Sequence, residues 1–231
     1  MFNRSVIQPG DSVETMIISV LLIVIPFLLG ITVHELAHGF TAYRLGDNTA
    51  KSMGRLTLNP IKHIDPFGLL MIVFAGFGFA KPVPVNMNVF KHPKKFMAVT
   101  AFAGPLSNII LALFFAFLRG LLAMSLFNLD FQSPQVAAFL HSLINNIIAI
   151  NLMLAVFNML PIPPLDGSKI LFSALPEQSY YRLMKLERYG FIVLIALIFF
   201  VPQFNSFLTN AISTLFGSFW YVSQVAFRLV N

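Results

Sequence analysis

Residues 16–33 carry no charge, and the chain passes from them directly into His34, Glu35, Leu36, Ala37 and His38. A run of this length, continuing helically to about Leu45, is long enough to cross a bilayer. Inside hydrocarbon the backbone must pair its own N–H and C=O groups, so the segment has to be helix. The same helix carries ionisable side chains to membrane depth, where they are costly and mark function. Imidazoles four residues apart share one helix face and can hold one zinc ion. The glutamate between them is placed to act as general base toward a water that the metal activates. The chain has five His and four Glu in 231 residues, so chance produces such a pattern in roughly two chains of a thousand. A hydrolytic site in that setting points to cleavage of a bond within the membrane.

Composition extends the membrane reading to nearly the whole chain. It is 57% hydrophobic and 10% charged, against about 25% charged in a soluble domain. A single membrane-embedded unit over residues 1–231 is expected, with a catalytic core at about 16–170 and C-terminal helices near 189–228. The net charge of +6 would suit nucleic acid, but the basic residues lie between apolar segments. The positive-inside rule explains them better, and no nucleic-acid partner is expected. The chain has no cysteine, which excludes disulfides and thiolate ligands. The N-terminal apolar stretch is too long for a cleavable signal and runs into the His-rich motif.

The remaining apolar segments fall near 67–80, 96–118, 136–160, 189–201 and 207–227. Segment 67–80 is too short to span and holds three glycines, which suggests a re-entrant piece. With re-entry and the N-terminus outside, thirteen of the fifteen Lys and Arg residues share the cytoplasmic side, leaving Arg4 and Arg119 outside. The fold expected is an all-α polytopic membrane protein with about five transmembrane helices and a re-entrant segment. His34 then lies roughly 16 Å in from the cytoplasmic face. Pro26 should kink the first helix or need help from a neighbour.

A catalytic zinc takes three protein ligands and keeps one position open. Of the five Asp and four Glu, Asp11, Glu14 and Asp130 lie near the outer face, Asp47 follows the first helix, and Glu177 and Glu187 sit in a basic loop. Asp65 and Asp166 remain. Asp166 follows an apolar segment whose end is unwound by Pro161, Pro163 and Pro164, while Gly167 allows close approach. An unwound stretch at membrane depth is tolerated where it lines a cavity, so Asp166 is the better third ligand. Asn108 lies near the start of the 96–118 segment. It can donate to a substrate carbonyl or developing oxyanion, or bridge helices. Asn158 carries the same ambiguity. His63 and Asp65 read as a loop turn, and His92 and His141 as structural or exposed. Residues 54–58 alternate in strand fashion and 81–86 should be extended between prolines. Together they predict a short β-hairpin near the cytoplasmic face, whose edge can hold an unwound substrate by strand addition.

The stretches H-E-L-A-H (34–38), G-R-L-T-L-N-P-I-K-H-I-D-P (54–66), A-G-P-L-S-N (103–108) and L-P-I-P-P-L-D-G (160–167) together resemble the site-2 protease family of zinc intramembrane metalloproteases. The resemblance covers roughly residues 16–170 and is greatest to small prokaryotic members without PDZ or CBS domains. It implies one zinc per chain held by His34, His38 and Asp166, with Glu35 as the catalytic base. Unlike members with an extra leading helix, this chain starts on the motif helix. The expected function is endoproteolysis of membrane-spanning segments in a prokaryotic inner membrane, with the active site nearer the cytoplasm. Selection would rest on substrate helix stability or on an accessory membrane protein. The rival class is a non-proteolytic zinc transporter or substrate-holding protein, for which a proton acceptor beside the metal is not required.

Overall fold

The computed structural model describes residues 12–75, 78–128, 134–185 and 187–229. The expectations for Arg4, Asp11 and Asp130 fall outside these residues. The elements are α1 (Val13–Arg44), α2 (Thr49–Ser52), α3 (Pro66–Ala75), α4 (Pro93–Asn128), α5 (Pro134–Asn158), α6 (Asp166–Ser173), α7 (Glu177–Met184), α8 (Glu187–Phe200) and α9 (Pro202–Arg228). Three of them, α1, α4 and α5, are long and apolar enough to cross a membrane. Their outward faces are apolar, with Ile17, Leu21, Ile25, Ile110 and Phe114 all exposed. Asn108, Asn151 and the two motif histidines are buried. Polar groups inside and apolar ones outside are the inverse of a water-soluble bundle, and suit lipid as the surrounding solvent.

Helix α1 begins at Ser12, whose hydroxyl accepts the Thr15 N–H, and it continues through Pro26. Proline has no N–H, so the carbonyl of Leu22, four residues earlier, loses its helical partner. Asn146 of α5 donates its side-chain N–H to that oxygen at 2.9 Å. Help from a neighbour is thus what sustains the helix. Contacts farther along set the helix directions. Gly30 of α1 lies against Asn151 and Leu154 of α5, so α1 and α5 are parallel. His38 meets Thr100 and His34 meets Asn108, so α4 is antiparallel to α1.

The C-terminal segments depart from the five-helix expectation. Helix α8 has 14 residues, roughly 21 Å, short of the ~30 Å hydrocarbon core. It meets α9 at a 90° bend, and the pair counts as one further crossing if it crosses at all. Leu208 near the start of α9 packs with Leu160 and Leu165. Further along, Phe216 and Phe219 reach the Ala112, Ala116 and Ile148 cluster, and Ser223 donates to the Ala116 carbonyl at 2.6 Å. Helix α9 therefore runs parallel to α4. Its last residue, Arg228, ends on the side of Arg119, opposite the loop that carries Lys51, Lys62 and Lys81. A count of charges assigned Arg228 to the other side because one terminal arginine weighs little against an apolar face that has to be buried.

The expected β-hairpin is replaced by a looser arrangement. Among the described residues there is no strand, and a single antiparallel bridge joins Ile64 to Ala80. Pro82 and Pro84 remove the donors that a ladder needs. Instead Arg55 donates through Nη2 to the carbonyls of Lys81 and Pro82, at 2.8 and 3.3 Å. The bridge also brings the described residues on either side of α3 together, at Ile64 and Ala80.

The helix directions are testable because the chain has no cysteine. In sealed oriented vesicles, Ser12→Cys and Leu229→Cys should label from one side with an impermeant maleimide, and Lys62→Cys from the other. Co-labelling of Leu229→Cys with Lys62→Cys would restore the five-crossing arrangement.

Candidate active site

His34 and His38 lie one helical turn apart on the buried face of α1, their rings 4.5 Å between centroids. They face α4 at Gly104. A Cβ there would lie 2.4 Å from His38 Nε2 and 2.6 Å from His34 Cε1, so the site needs a glycine in α4 for the two rings to fit. Asp166 comes from the far end of the α5 connection. Residues 159–165 are unwound around Pro161, Pro163 and Pro164, and Asp166 opens α6. Gly167 lets this turn close, since a Cβ at that position would meet the Met159 carbonyl oxygen at 2.2 Å.

The result is a convergence of three ligand atoms. His34 Nε2 and His38 Nε2 are 2.9 Å apart, and Asp166 Oδ2 lies 3.2 and 3.0 Å from them. The outward-facing nitrogens decide what this means. His34 Nδ1 lies 2.7 Å from Asn108 Oδ1, and His38 Nδ1 lies 2.7 Å from the Thr100 carbonyl. Asn108 is oriented by its own N–H groups, which point at the Gly30 carbonyl and at Asn151 Oδ1. Both Nδ1 atoms therefore face acceptors and carry the hydrogen. In the neutral imidazoles both Nε2 atoms are then left with lone pairs aimed at each other and at a carboxylate. Three acceptors at such spacing repel unless a cation lies among them. Tetrahedral zinc with N and O ligands near 2.0–2.1 Å spaces them about 3.3 Å apart, within a few tenths of an ångström of what is seen. Hydrogen bonding of the second imidazole nitrogen is also the usual support of a metal-bound histidine. Among the described residues this is the one group of three or more such side chains that could hold a metal ion.

Glu35, also buried, has its carboxylate turned toward the extended segment after the Ile64–Ala80 bridge. Its Oε2 accepts the Val83 N–H at 2.7 Å. Pro82 and Pro84 flank Val83, so this is the one N–H that the Pro-Val-Pro stretch can offer. The segment is fixed at both ends. Arg55 grips it at Lys81 and Pro82, and the Asn86 N–H donates to Asp47 Oδ2 at 2.7 Å. Burial works against the Asp47 charge, but hydrogen bonds from the Thr49 hydroxyl, the Asn86 amide and the Thr49 amide outweigh it and hold this carboxyl below the usual range.

His34, Glu35, His38 and Asp166, named on sequence grounds, are all gathered here. Asn108 is here too, but not as a free donor. Its oxygen accepts from His34 and both of its N–H groups are taken, so it orients an imidazole rather than a substrate. Asn158 bonds back to its own helix at the Leu154 carbonyl. Asp65 caps α3 by accepting from the Phe67 and Gly68 amides, and His63 is a buried post bonded to the Thr57 carbonyl. His92 stacks edge-on against Phe96, and His141 is exposed beside Asn145. The turn and structural readings of these four hold. The sequence does not single out Asn151 or Thr100, and it holds Gly104 within the 103–108 stretch without showing its role. An amide in the middle of an apolar helix was the available signal for Asn151, whereas a backbone carbonyl and a glycine give none. Asn108→Leu should weaken zinc binding by about 10–100-fold, measured by chelator competition. Unchanged affinity would show that the Asn108–His34 bond does not support the metal.

Comparison with known proteins gives one consistent answer. The model of peptidase family M50 matches residues 22–201. The protein YwhC of Bacillus subtilis, whose name provisionally assigns it as a zinc metalloprotease, is 44% identical over 188 residues, covering 80% of this chain and 82% of that protein. Rip2 of Mycolicibacterium smegmatis, provisionally named in the same way, is 31% identical over 190 residues, covering 80% of this chain and 69% of its own length. Rip2 of Mycobacterium tuberculosis is 27% identical over 212 residues, covering 90% and 76%. No solved structure gives a significant match.

Proposed function

The chain belongs to peptidase family M50, and on that premise we propose that this membrane zinc metalloprotease hydrolyses peptide bonds within or beside the membrane-spanning segments of other proteins. The observation that carries the proposal is the position of Glu35, one residue from the first ligand of a three-acceptor site built inside a bundle of apolar helices. His34 stands ten residues before the end of α1 at Arg44, roughly 15 Å along the helix axis.

His34, His38 and Asp166 would hold the zinc, which would supply Lewis acidity for the hydrolysis. Glu35 takes the proton of the attacking water and passes it to the leaving amine nitrogen. Asn108 and the Thr100 carbonyl keep the Nε2 lone pairs of the two histidines turned inward. A helical substrate hides its peptide bonds in its own hydrogen bonds, so it has to open before it is cut. The extended stretch 81–86, pinned by Arg55 and Asp47, lies against Glu35 as a fixed wall beside the base. Lys51, Lys62, Lys81, Lys91, Lys94 and Lys95 lie in the connection between α1 and α4 and in the first turn of α4, at the site end of the bundle. By the positive-inside rule that end faces the cytoplasm of a cell whose inner membrane holds the protein. Substrate choice then rests on how readily the substrate helix unwinds, or on an accessory membrane protein.

The test uses full-length protein in vesicles with single-span model proteins of graded helix stability, with products read by mass spectrometry. Wild type should hold about one zinc per chain and cut within the span. Glu35→Gln should hold as much zinc and lose at least ~10²–10⁴-fold in rate. Asp166→Ala and the double variant His34→Ala/His38→Ala should lose the zinc. Full cleavage by Glu35→Gln would overturn the assigned base. Zinc entry into the vesicles with no cleavage of any span would replace the protease reading with that of a carrier.

A further inference from the structure

About 16 Å along α4 from Asn108, Arg119 is buried, 5% exposed, between α4, α5 and α9. Its Nε donates to Ser223 Oγ at 3.0 Å and its Nη1 to Asn145 Oδ1 at 2.6 Å. Its guanidinium carbon lies 4.7 Å from the Trp220 ring centre and 5.6 Å from that of Phe216. Its remaining nitrogen, Nη2, is buried with no hydrogen-bond partner. Among the described residues no carboxylate pairs with it. A buried cation is expensive unless an opposite charge is near, and amide, hydroxyl and ring contacts supply none. Arg119 also departs from the positive-inside pattern, on the end of the bundle opposite the lysine-rich loops.

Beside it lies a cavity of about 610 Å³, within the range of ligand-binding sites. Arg119, His141, Ser142 and Gln224 bring donors to it, Trp220 and Phe227 line it with apolar surface, and among the described residues its wall includes no acid. Trp220 and Phe227 are 49% and 39% exposed, so the cavity is open at the outer surface of the bundle. Several donors around one cation call for a group with several acceptor oxygens, and the apolar wall calls for a hydrocarbon chain. We propose that the Arg119 cavity is a binding site for an anionic phospholipid. The phosphate diester faces the guanidinium and the adjoining donors, and an acyl chain lies along Trp220 and Phe227. The site is separate from the metal centre and does not depend on proteolysis.

The chain carries a single tryptophan, Trp220, on the wall of this cavity, so its emission reports occupancy. Purified full-length protein in detergent is titrated with phosphatidylglycerol bearing brominated acyl chains and, separately, with the matching phosphatidylcholine. Bromine near the indole quenches it. Both lipids carry the phosphate diester, but the choline cation of the zwitterionic one would stand beside the Arg119 guanidinium, so the anionic lipid should quench saturably at an effective concentration about tenfold or more lower. Arg119→Met should erase that preference. Because this variant also loses two helix-bridging bonds, Ala138→Phe is measured alongside. It fills the cavity with Arg119 intact and should likewise lose the preference while retaining bound zinc. Inorganic phosphate alone should not displace the brominated lipid. Equal quenching by the two lipids, or a preference kept by Arg119→Met or by Ala138→Phe, overturns the proposal. Full displacement by inorganic phosphate overturns the lipid assignment in favour of a free anion.

Discussion

Two hydrogen bonds that point away from the metal site govern the rest of it. With Nδ1 of His34 committed to Asn108 and Nδ1 of His38 to the Thr100 carbonyl, neither imidazole keeps a proton for the other, and two lone pairs face an aspartate across about 3 Å. Buried inside the helix bundle, such a gathering of acceptors is repulsive unless a cation satisfies it. The glycine in α4, the unwound end of α5 and the short helix that opens on Asp166 all serve to bring these groups that close.

A second consequence of the bilayer is that each polar group on these helices draws in the next. Asn108 bonds His34, then Gly30 and Asn151, and Asn151 bonds back to Ile147. Asn146 covers the carbonyl freed by Pro26. Arg119, Asn145 and Ser223 tie α4, α5 and α9 at the opposite end. Apolar contacts alone do little to hold helices together in lipid, where the surrounding solvent is as apolar as the side chains. The register of the helices is instead set by these bonds, and the geometry of the metal site follows from that register.

Near Glu35 the same economy appears in loops. A stretch with two prolines has almost no donors, and its single useful N–H is spent on the carboxylate. Arg55 and Asp47 hold the stretch from either side, so the backbone beside the base is extended and rigid without belonging to a sheet. Proline prevents the ladder that an alternating pattern at 54–58 had suggested, while leaving the segment straight.

What the sequence determined was local. The spacing of His34, Glu35 and His38 on a helix is a property of α-helical geometry, and the prolines before Asp166 announce an unwound turn wherever the chain goes. The uncharged run before the motif required a helix and a membrane. Contacts between helices were not written at any one position. The engagement of Asn108 with His34, the need for glycine at 104, the part played by Asn151 and the parallel course of α4 and α9 depend on which faces meet. A charge count placed Arg228 with the other basic residues because it weighs each residue alone. The tertiary structure placed it with Arg119 because the apolar face of α9 is buried only when the whole helix lies along α4 and α5.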